Sequence, residues 1–152
     1  GDSPVRIVVD SRLRIPPDAN VLKPGALTIV ATTSLATEAR AAAIRARGAE
    51  VLCVKANAEG QVDMRELFAR LRRDGIRSLL IEGGRGIITS ALREHLVDRL
   101  TVCIAPKVIG EGIAAVGDLG IDRLRDAMTF ERAGFTAYGG DVIFYGEPAV
   151  RA

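Results

Sequence analysis

The amino-acid sequence predicts an α/β domain in which a mixed, mainly parallel sheet is flanked by helices and followed by a C-terminal antiparallel hairpin. Short β-branched runs alternate with amphipathic segments through the first two-thirds of the chain, an order typical of parallel sheets with helical crossovers. Aromatic residues make up only 4% of the sequence and hydrophobic residues 48%, so aliphatic side chains must fill the core, as in helix-covered sheets. In the last third, two strand-like runs join at Gly139-Gly140-Asp141, which is a hairpin signal.

Seven runs have the composition of strands. Aliphatic and β-branched residues dominate them, and the first run is too apolar for an exposed edge. A turn around Asn57 and Gly60 separates the third strand from the helix that follows it. The predicted strands cover residues 5–10, 27–31, 50–54, 78–81, 100–105, 130–138 and 142–145.

Three predicted helices carry their own start signals. The first covers residues 34–47, with Ser34 as its N-cap and a glycine directly after its end. Asp63 and Glu66 stand in capping-box spacing at the head of the second. The third opens directly from the glycines of residues 83–86. Each helix therefore follows a strand, as right-handed crossovers require.

Composition and charge exclude several classes of protein. The net charge of +2, from 21 basic and 19 acidic residues, is too small for non-specific nucleic-acid binding. The N-terminus has no signal-peptide pattern, and no apolar run reaches the ~20 residues that cross a bilayer, so we expect a soluble, cytoplasmic protein without a membrane partner. Cys53 and Cys103 lie inside apolar runs without metal-ligand spacing. We expect both thiols to be buried, and residues 1–152 to form a single domain.

The glycine turn Ile81-Glu82-Gly83-Gly84-Arg85-Gly86 is the strongest candidate for a ligand site. A strand that passes through glycines into a helix leaves free backbone N–H groups at the helix N-terminus, where an anion is favoured. Thr89 and Ser90, in the first helical turns, offer hydroxyl donors. A tight turn without a ligand explains the same residues equally well.

Known phosphate and hydrolase motifs fit this chain poorly. A Rossmann fingerprint requires a third glycine where Thr89 stands, and a P-loop requires Lys and Ser/Thr where Ile87 and Ile88 stand. His95 is the only histidine, and no G-x-S-x-G elbow occurs. We interpret His95 as a helix C-terminal cation or a surface residue, and nucleophilic hydrolysis has little support.

Glu82 follows the predicted buried strand at its carboxyl end. Open α/β sheets bind ligands at that end of their strands. The carboxylate is therefore suited to accept hydrogen bonds from a substrate hydroxyl or amide. Its alternative role is to satisfy the N–H groups of the turn itself.

Asp10-Ser11-Arg12-Leu13-Arg14 is a second polar strand end. A hydroxyl and a guanidinium directly after the first strand suit the recognition of an additional phosphate, which favours NADPH over NADH. Solvation of the surface is the alternative explanation for Arg12 and Arg14, and we prefer it for Arg14.

Four motifs in this order resemble the reductase domain of the bifunctional riboflavin biosynthesis deaminase/reductase family. That family has a dihydrofolate-reductase-like fold. The resemblance extends from Val5 to about Glu147. The motifs are Val8-Val9-Asp10-Ser11-Arg12-Leu13-Arg14, Leu80-Ile81-Glu82-Gly83-Gly84, Leu96-Val97-Asp98-Arg99-Leu100 and Ile104-Ala105-Pro106-Lys107-Val108-Ile109-Gly110.

The resemblance implies a reaction and a set of site residues. It implies NADPH-dependent reduction of 5-amino-6-(5-phosphoribosylamino)uracil to the ribitylamino form, with hydride delivered to C1′ of the opened ribose. It assigns Glu82 to the substrate. The residues that it assigns to NADPH are Ser11, Gly84, Arg85, Gly86, Ile87, Ile88, Thr89 and Ser90.

The chain departs from the family pattern at its front, because the family's N-terminal segment, with much of the substrate pocket, has no counterpart here. The chain is then either a fragment of a longer protein or a pared-down relative that binds nucleotide without turnover, a non-catalytic nucleotide-binding or assembly module. A pterin reductase of the same superfamily is a further alternative. No H-x-E or P-C-x-x-C signature occurs, so we expect no zinc. An apolar sheet with an incomplete edge needs cover, and we expect a homodimer.

Overall fold

Two separate three-stranded sheets organise the chain in the computed structural model, which describes residues 3–149. The chain divides after Leu79 into two compact units, Gly1–Leu79 and Leu80–Ala152. The predicted α/β class is therefore confirmed, with the parallel pairings in one sheet and the antiparallel pairings in another. No helix among the described residues is both long and apolar enough to cross a membrane.

The first unit contains a parallel sheet with strand order β1-β2-β3. Its strands are β1 (Arg6–Val9), β2 (Thr28–Thr32) and β3 (Glu50–Cys53). The central strand β2 is buried along its whole length, as expected for a strand with a neighbour on each side. The helices are α1 (Glu38–Arg45) and α2 (Met64–Arg73). The core cluster beside this sheet comprises Leu13, Leu22, Val30, Ala41, Ile44 and Ala49.

The start of α1 differs from its prediction at Ser34. Thr37 is the N-cap, and its hydroxyl accepts the N–H of Arg40 at 3.4 Å. Upstream, the Thr33 hydroxyl accepts the N–H of Leu35 at 3.2 Å. This turn gives the backbone after Thr33 an alternative to helical hydrogen bonding. The helix therefore begins at Glu38 and not directly after Ser34.

The start of α2 confirms the cap at Asp63, whose carboxylate accepts the N–H of Glu66 at 2.9 Å. The reciprocal half of the capping box is not formed. Instead, the Glu66 carboxylate accepts the N–H of Lys55 at 2.8 Å. It therefore ties the helix to the segment after β3.

The second unit contains a helix and an antiparallel sheet with strand order β4-β6-β5. The helix is α3 (Arg85–Arg93), and the strands are β4 (Leu100–Ile104), β5 (Phe130–Tyr138) and β6 (Asp141–Pro148). The predicted hairpin is confirmed, because Tyr138 pairs with Asp141 across a turn in which Gly139 has a φ of 60°. That φ is one that glycine adopts without strain.

The strand predicted over residues 78–81 is wrong. Residues 76–84 have no regular secondary structure, and no backbone hydrogen bond joins residues 77–83 to another described residue. Leu80 is 83% exposed. Apolar, β-prone residues form a strand only where a neighbouring backbone offers partners, and the described part of the chain places none beside them.

The prediction of two buried thiols is also wrong, because Cys53 and Cys103 are both free and exposed. Their apolar surroundings in the sequence indicated a two-sided core strand. However, β3 and β4 are edge strands of their sheets. Successive side chains of a strand point to opposite faces of its sheet, and residues 101–104 of β4 are all exposed, so neither face is covered there.

Gly146 in β6 lies where a side chain does not fit. A Cβ atom there would lie 2.9 Å from Cβ of Phe130 and 3.1 Å from Cζ of Phe144. We expect Gly146→Ala to lower the free energy of unfolding by about 1–3 kcal/mol through overpacking. Urea denaturation tests this, with Gly140→Ala as the control, because a Cβ on Gly140 has no heavy atom within 4 Å. Equal stability of the two variants would contradict this packing.

Glu147 accepts hydrogen bonds from two arginines, from Nε of Arg132 at 2.7 Å and from Nη2 of Arg99 at 3.4 Å. The hydrogen bond from Arg132 lowers the pKa of Glu147 below its ordinary 4.5. A lowered folded-state pKa contributes stability that is present above the unfolded pKa and lost as pH falls through the folded pKa. Glu147→Gln is therefore expected to be less stable than the parent at pH 7. The gap should close as the pH falls below about 4.5. Thermal unfolding of both proteins between pH 7 and pH 2.5 measures this difference in stability. A difference that stays constant down to pH 2.5 would refute the stabilising role of the Glu147 carboxylate.

Candidate functional site

The glycine turn leads into α3 without a capping side chain. Gly84 is the N-cap with a φ of 89° and no side-chain hydrogen bond, and residues 82–86 are exposed. Thr37 and Asp63, in contrast, cap α1 and α2 with their side chains. The first N–H groups of α3 therefore have no capping side chain and carry the positive end of the helix dipole. This geometry suits an anion.

The space around the turn is open. A Cβ atom placed on Gly83 or Gly86 has no heavy atom within 4 Å, and one on Gly84 meets only the side chain of Ile87, at 3.6 Å. The packing of the described residues therefore does not require glycine at Gly83 or Gly86. Glycine at these positions leaves the backbone approachable from outside.

Glu82 lies directly before these glycines and is exposed. No hydrogen bond or ion pair joins its carboxylate to a described residue. In the described residues, the Glu82 carboxylate therefore does not accept N–H groups of the turn, which was its alternative role. Its contact with substrate stays a prediction.

Thr89 has a role that sequence reasoning missed. It is 8% exposed, its hydroxyl donates to the Arg85 carbonyl at 2.6 Å, and it accepts the N–H of Gly117 at 2.7 Å. A Cβ on Gly117 would lie 3.1 Å from both Nε of Arg85 and Oγ1 of Thr89. The hydroxyl therefore fastens the segment after β4 to the first turns of α3. Ser90 is half-buried, and its predicted cofactor contact is untested.

Ser11, in the first unit, is the second residue after the C-terminal end of β1. Its hydroxyl oxygen accepts the N–H of Val62 at 3.0 Å, and its carbonyl accepts the hydroxyl of Thr33 at 2.8 Å. It thereby joins the ends of β1 and β2 to the loop before α2. The hydroxyl proton of Ser11 remains free to donate to a ligand, because an oxygen that accepts can also donate.

A cavity of about 240 Å³ opens at this end of β1. The turn beside it is held by Asp10, whose carboxylate accepts the N–H of Ile15 at 2.7 Å and of Arg12 at 3.3 Å. The cavity is lined by Ser11, Arg12, Arg14, Glu59, Gly60 and Gln61. Sequence reasoning identified the first three of these residues but not the loop of residues 59–61, which no ligand motif marks.

Among the remaining candidates, His95 lines a second cavity, of about 270 Å³, together with Arg93 and Thr129. His95 is exposed and follows the C-cap residue of α3, as the sequence indicated for a helix-end residue. No group of three or more His, Cys, Asp or Glu side chains within residues 3–149 is placed to hold a metal ion. The candidate ligand sites of the described chain are therefore the Ser11 cavity in the first unit and, in the second, the glycine turn and the cavity beside His95.

These features define a class of protein: an α/β chain with an uncapped helix N-terminus at an exposed glycine turn, suited to an anionic ligand. Within that class, residues 2–144 match the RibD C-terminal domain, and the chain belongs to this family. The resemblance drawn from four sequence motifs is thereby confirmed.

Curated relatives carry reductase names. A 2,5-diamino-6-ribosylamino-4(3H)-pyrimidinone 5′-phosphate reductase from Methanothermobacter thermautotrophicus is 39% identical over 145 residues, 94% of this chain and 65% of that protein. The riboflavin biosynthesis protein RibD of Aquifex aeolicus is 31% identical over 142 residues, 93% of this chain and 38% of that protein. The chain thus spans 65% and 38% of the lengths of these two relatives.

Solved structures share the fold. RibD of Acinetobacter baumannii aligns with a TM-score of 0.71 at 19% identity, over 95% of this chain and 37% of that one. The Saccharomyces cerevisiae riboflavin biosynthesis reductase Rib7 aligns with a TM-score of 0.71 at 21% identity, over 97% of this chain and 71% of that one. The dihydrofolate-reductase-like fold implied by the resemblance is confirmed.

Proposed function

We propose that this chain is an NADPH-dependent reductase of riboflavin biosynthesis, acting on 5-amino-6-(5-phosphoribosylamino)uracil. The observation that carries the proposal is the exposed glycine turn, which opens into α3 without a side-chain cap. Membership of the RibD C-terminal domain family supports it. NADPH, when bound, supplies the hydride for C1′ of the ribosyl group.

The chain's own part is to bind and orient both reactants. In this proposal residues 84–90 hold the pyrophosphate, because the dipole and N–H groups of α3 favour negative charge. Glu82 accepts a hydrogen bond from the substrate, and Ser11 donates one to the cofactor. Thr89 acts indirectly, since its hydroxyl already bonds Arg85 and Gly117. Correct orientation of bound reactants can supply much of a rate enhancement.

A second substrate is favoured by a specific observation. The relative that is 39% identical is named for 2,5-diamino-6-ribosylamino-4(3H)-pyrimidinone 5′-phosphate, which carries an amino group on the pyrimidine where the uracil carries an oxygen. Both compounds offer ring N–H groups to a carboxylate such as Glu82. A phosphoribosylated pyrimidine is therefore common to both versions of the proposal.

The loss of NADPH absorbance at 340 nm, measured with each pyrimidine in turn, tests the proposed function. We expect oxidation of NADPH with at least one of them and no oxidation with dihydrofolate. Saturable NADPH binding without oxidation by either pyrimidine would instead support the non-catalytic module. Oxidation with dihydrofolate alone would support the pterin reductase.

The reaction takes place in the cytoplasm in this proposal, where NADPH is available, and residues 1–152 act as one reductase domain. A single cooperative unfolding transition is expected for one domain. Two well-separated transitions in calorimetry, one for each of the two units, would count against it.

A homodimer completes the proposal. In the β4-β6-β5 sheet, Val102 and Phe135 both pair with Phe144, so the three side chains form a row on one face. Ile104 pairs with Val142 and forms a neighbouring row on the same face. Four of these side chains are exposed, with fractions of 39% for Val102, 70% for Phe135, 51% for Ile104 and 43% for Val142. An apolar face of this kind suits a second copy of the chain.

Phe135→Glu is expected to convert this dimer to a monomer, because it places a charge inside the apolar face. Tyr138→Glu is the matched control, since Tyr138 is 77% exposed and lies three residues along β5, on the opposite face. Light scattering coupled to size-exclusion chromatography measures the mass. A parent chain that is monomeric would contradict this interface. So would a monomeric mass for both Phe135→Glu and Tyr138→Glu.

A further inference from the structure

We infer that the cavity at the C-terminal end of α3 binds a small organic carboxylate with an apolar body. All residues that line this cavity belong to the second unit, and its charged and polar side chains are those of Arg93, His95 and Thr129. The cavity is separate from the glycine turn, because residues 85–93 of α3 span roughly 12 Å at about 1.5 Å per residue. The inference does not rest on the proposed function, and it gives His95 a role in ligand binding.

His95 has a backbone conformation that favours glycine. Its φ is 54°. The N–H of His95 bonds the carbonyl of Leu92 at 3.1 Å, and the N–H of Leu96 bonds the carbonyl of Ala91 at 2.9 Å. This pair of hydrogen bonds is the Schellman motif that ends many helices, and glycine is its usual residue at the left-handed position because glycine has no Cβ.

The end of α2 contains the same motif with a glycine. Gly75 has a φ of 91°, and its N–H bonds the carbonyl of Arg72 at 3.1 Å. The N–H of Ile76 bonds the carbonyl of Leu71 at 2.9 Å. At the end of α3, a histidine therefore stands where α2 has glycine. Left-handed non-glycine residues cluster at ligand-binding positions, and the side chain of His95 lines the cavity.

The donors at the cavity have capacity for a ligand. Among the described residues, the exposed guanidinium of Arg93 bonds only the carbonyl of Asp118, through Nη2. Arginine has five N–H donors, so the others are left for a second acceptor. The imidazole of His95 and the hydroxyl of Thr129 make no hydrogen bond with a described residue. A carboxylate matches this set, because its two oxygens accept bonds from a guanidinium and from a neighbouring donor together.

The charges around the cavity favour an anion. No acidic side chain is among the described residues that line it, and Arg93 supplies a permanent positive charge. The negative end of the α3 dipole is partly satisfied, since the N–H groups of residues 94–96 bond carbonyls of the last turn. The cationic side chain therefore determines the sign of the ligand.

The rest of the lining is largely apolar, which selects an organic anion over an inorganic one. Apolar surface of a ligand is stabilised by leaving water. The volume of about 270 Å³ corresponds to roughly nine water molecules at about 30 Å³ each, which is room for a carboxylate on a six-membered ring. The apolar side chains are those of Leu92, Leu119, Ile121, Met128 and Ala149.

Hydrogen bonds hold the walls of the cavity in place. The bond from Arg93 to the carbonyl of Asp118 joins α3 to the segment that forms one wall. Within that segment, the Asp118 carboxylate accepts the N–H of Gly120 at 2.7 Å. On another side, the carbonyl of Thr129 accepts the N–H of Ala149 at 2.8 Å. A preformed cavity reduces the entropic cost of binding.

Titration of the full chain with benzoate, followed in ¹H–¹⁵N spectra, tests the inference. We expect saturable shifts that are largest at the amides of residues 93–95, 119–121 and 128–129. The expected Kd is about 1 mM, as for a ligand of few atoms. Benzamide has nearly the same shape without the charge and should bind about tenfold more weakly. Acetate keeps the charge without the ring and should also bind about tenfold more weakly.

Two variants each remove one donor. His95→Gly is expected to raise the Kd of benzoate about fivefold, with a melting temperature at least equal to that of the parent, because glycine suits the left-handed position. Arg93→Gln should raise the Kd about tenfold. The control is Arg73→Gln, since Arg73 is the last residue of α2 as Arg93 is of α3. It should leave the Kd within twofold of the parent.

Several results would overturn the inference. The first is the absence of saturable binding at benzoate concentrations well above the expected Kd. The others are a parent-like Kd in either His95→Gly or Arg93→Gln, and equal weakening by Arg73→Gln, which would indicate an unspecific effect of charge. Largest shifts at the amides of residues 84–90 would place benzoate at the glycine turn instead. A lower melting temperature of His95→Gly would show that His95 serves the fold. Oxidation of NADPH is measured separately, so the proposed function is unaffected by each of these results.

Discussion

Gly86→Glu is expected to raise the Kd of NADPH about a hundredfold while leaving the chain at least as stable as the parent. Gly86 is the second residue of α3, and a Cβ there meets no heavy atom within 4 Å. Replacing glycine in a helix gains up to about 1 kcal/mol, and an acidic residue in the first turn gains about 0.3–1 kcal/mol more. A merely structural turn would therefore benefit from this substitution.

The same carboxylate would oppose a pyrophosphate bound at the helix N-terminus. Two like charges about 4 Å apart repel by about 4 kcal/mol at an effective dielectric constant of 20, and a hundredfold loss requires less than this. Gly86→Ala adds a side chain without a charge. It should weaken the binding of NADPH less than Gly86→Glu does, because it only restricts close approach of the ligand. Gly112→Glu, at an equally open glycine in the loop after β4, is the control for net charge.

Isothermal titration of each variant with NADPH measures the binding, and thermal unfolding measures the stability. An unchanged Kd in Gly86→Glu would remove the glycine turn from the cofactor site. A lower melting temperature together with weak binding would show instead that the substitution disturbs the fold.

Glu82→Gln is expected to lower kcat/KM for the pyrimidine substrate by about 10- to 100-fold. A hydrogen bond to a charged acceptor contributes about 1.5–3 kcal/mol, and glutamine keeps the size of the side chain but removes the charge. Glu82 is exposed beside the glycine turn and no described residue bonds its carboxylate. The substitution therefore breaks no internal contact, and stability should be unchanged.

Steady-state oxidation of NADPH measures kcat/KM, and direct titration should give an NADPH Kd within twofold of the parent. Glu50→Gln, at an exposed position in β3, controls for loss of one negative charge. Equal turnover by Glu82→Gln and the parent would exclude a substrate contact. A large loss of NADPH affinity in Glu82→Gln would show instead that Glu82 contacts the cofactor.

Local signals predicted the elements that depend on local chemistry. Asp63 caps α2 as its spacing indicated, the glycines lead into α3, and Gly139 closes the hairpin between β5 and β6. In each case the determining interaction joins residues within about four positions of one another. Helix caps and tight turns can therefore be predicted from a sequence.

Features that depend on distant partners were not predictable in this way. The composition of residues 78–81 is that of a strand, but pairing is decided by neighbours far along the chain. The same reason explains the exposed thiols of Cys53 and Cys103, because the sequence does not show which faces of a sheet are covered. The bond from the Val62 N–H to the Ser11 hydroxyl spans 51 residues and has no local signal.

Chemical-shift perturbation in ¹H–¹⁵N spectra of the full chain during titration with NADPH tests the central claim most directly. The claim predicts the largest shifts at the backbone amides of residues 84–90, where the uncapped N–H groups of α3 meet the pyrophosphate. Saturation at the Kd found by calorimetry should accompany them. Saturable binding with no shift at these amides, or no binding at all, would contradict the account.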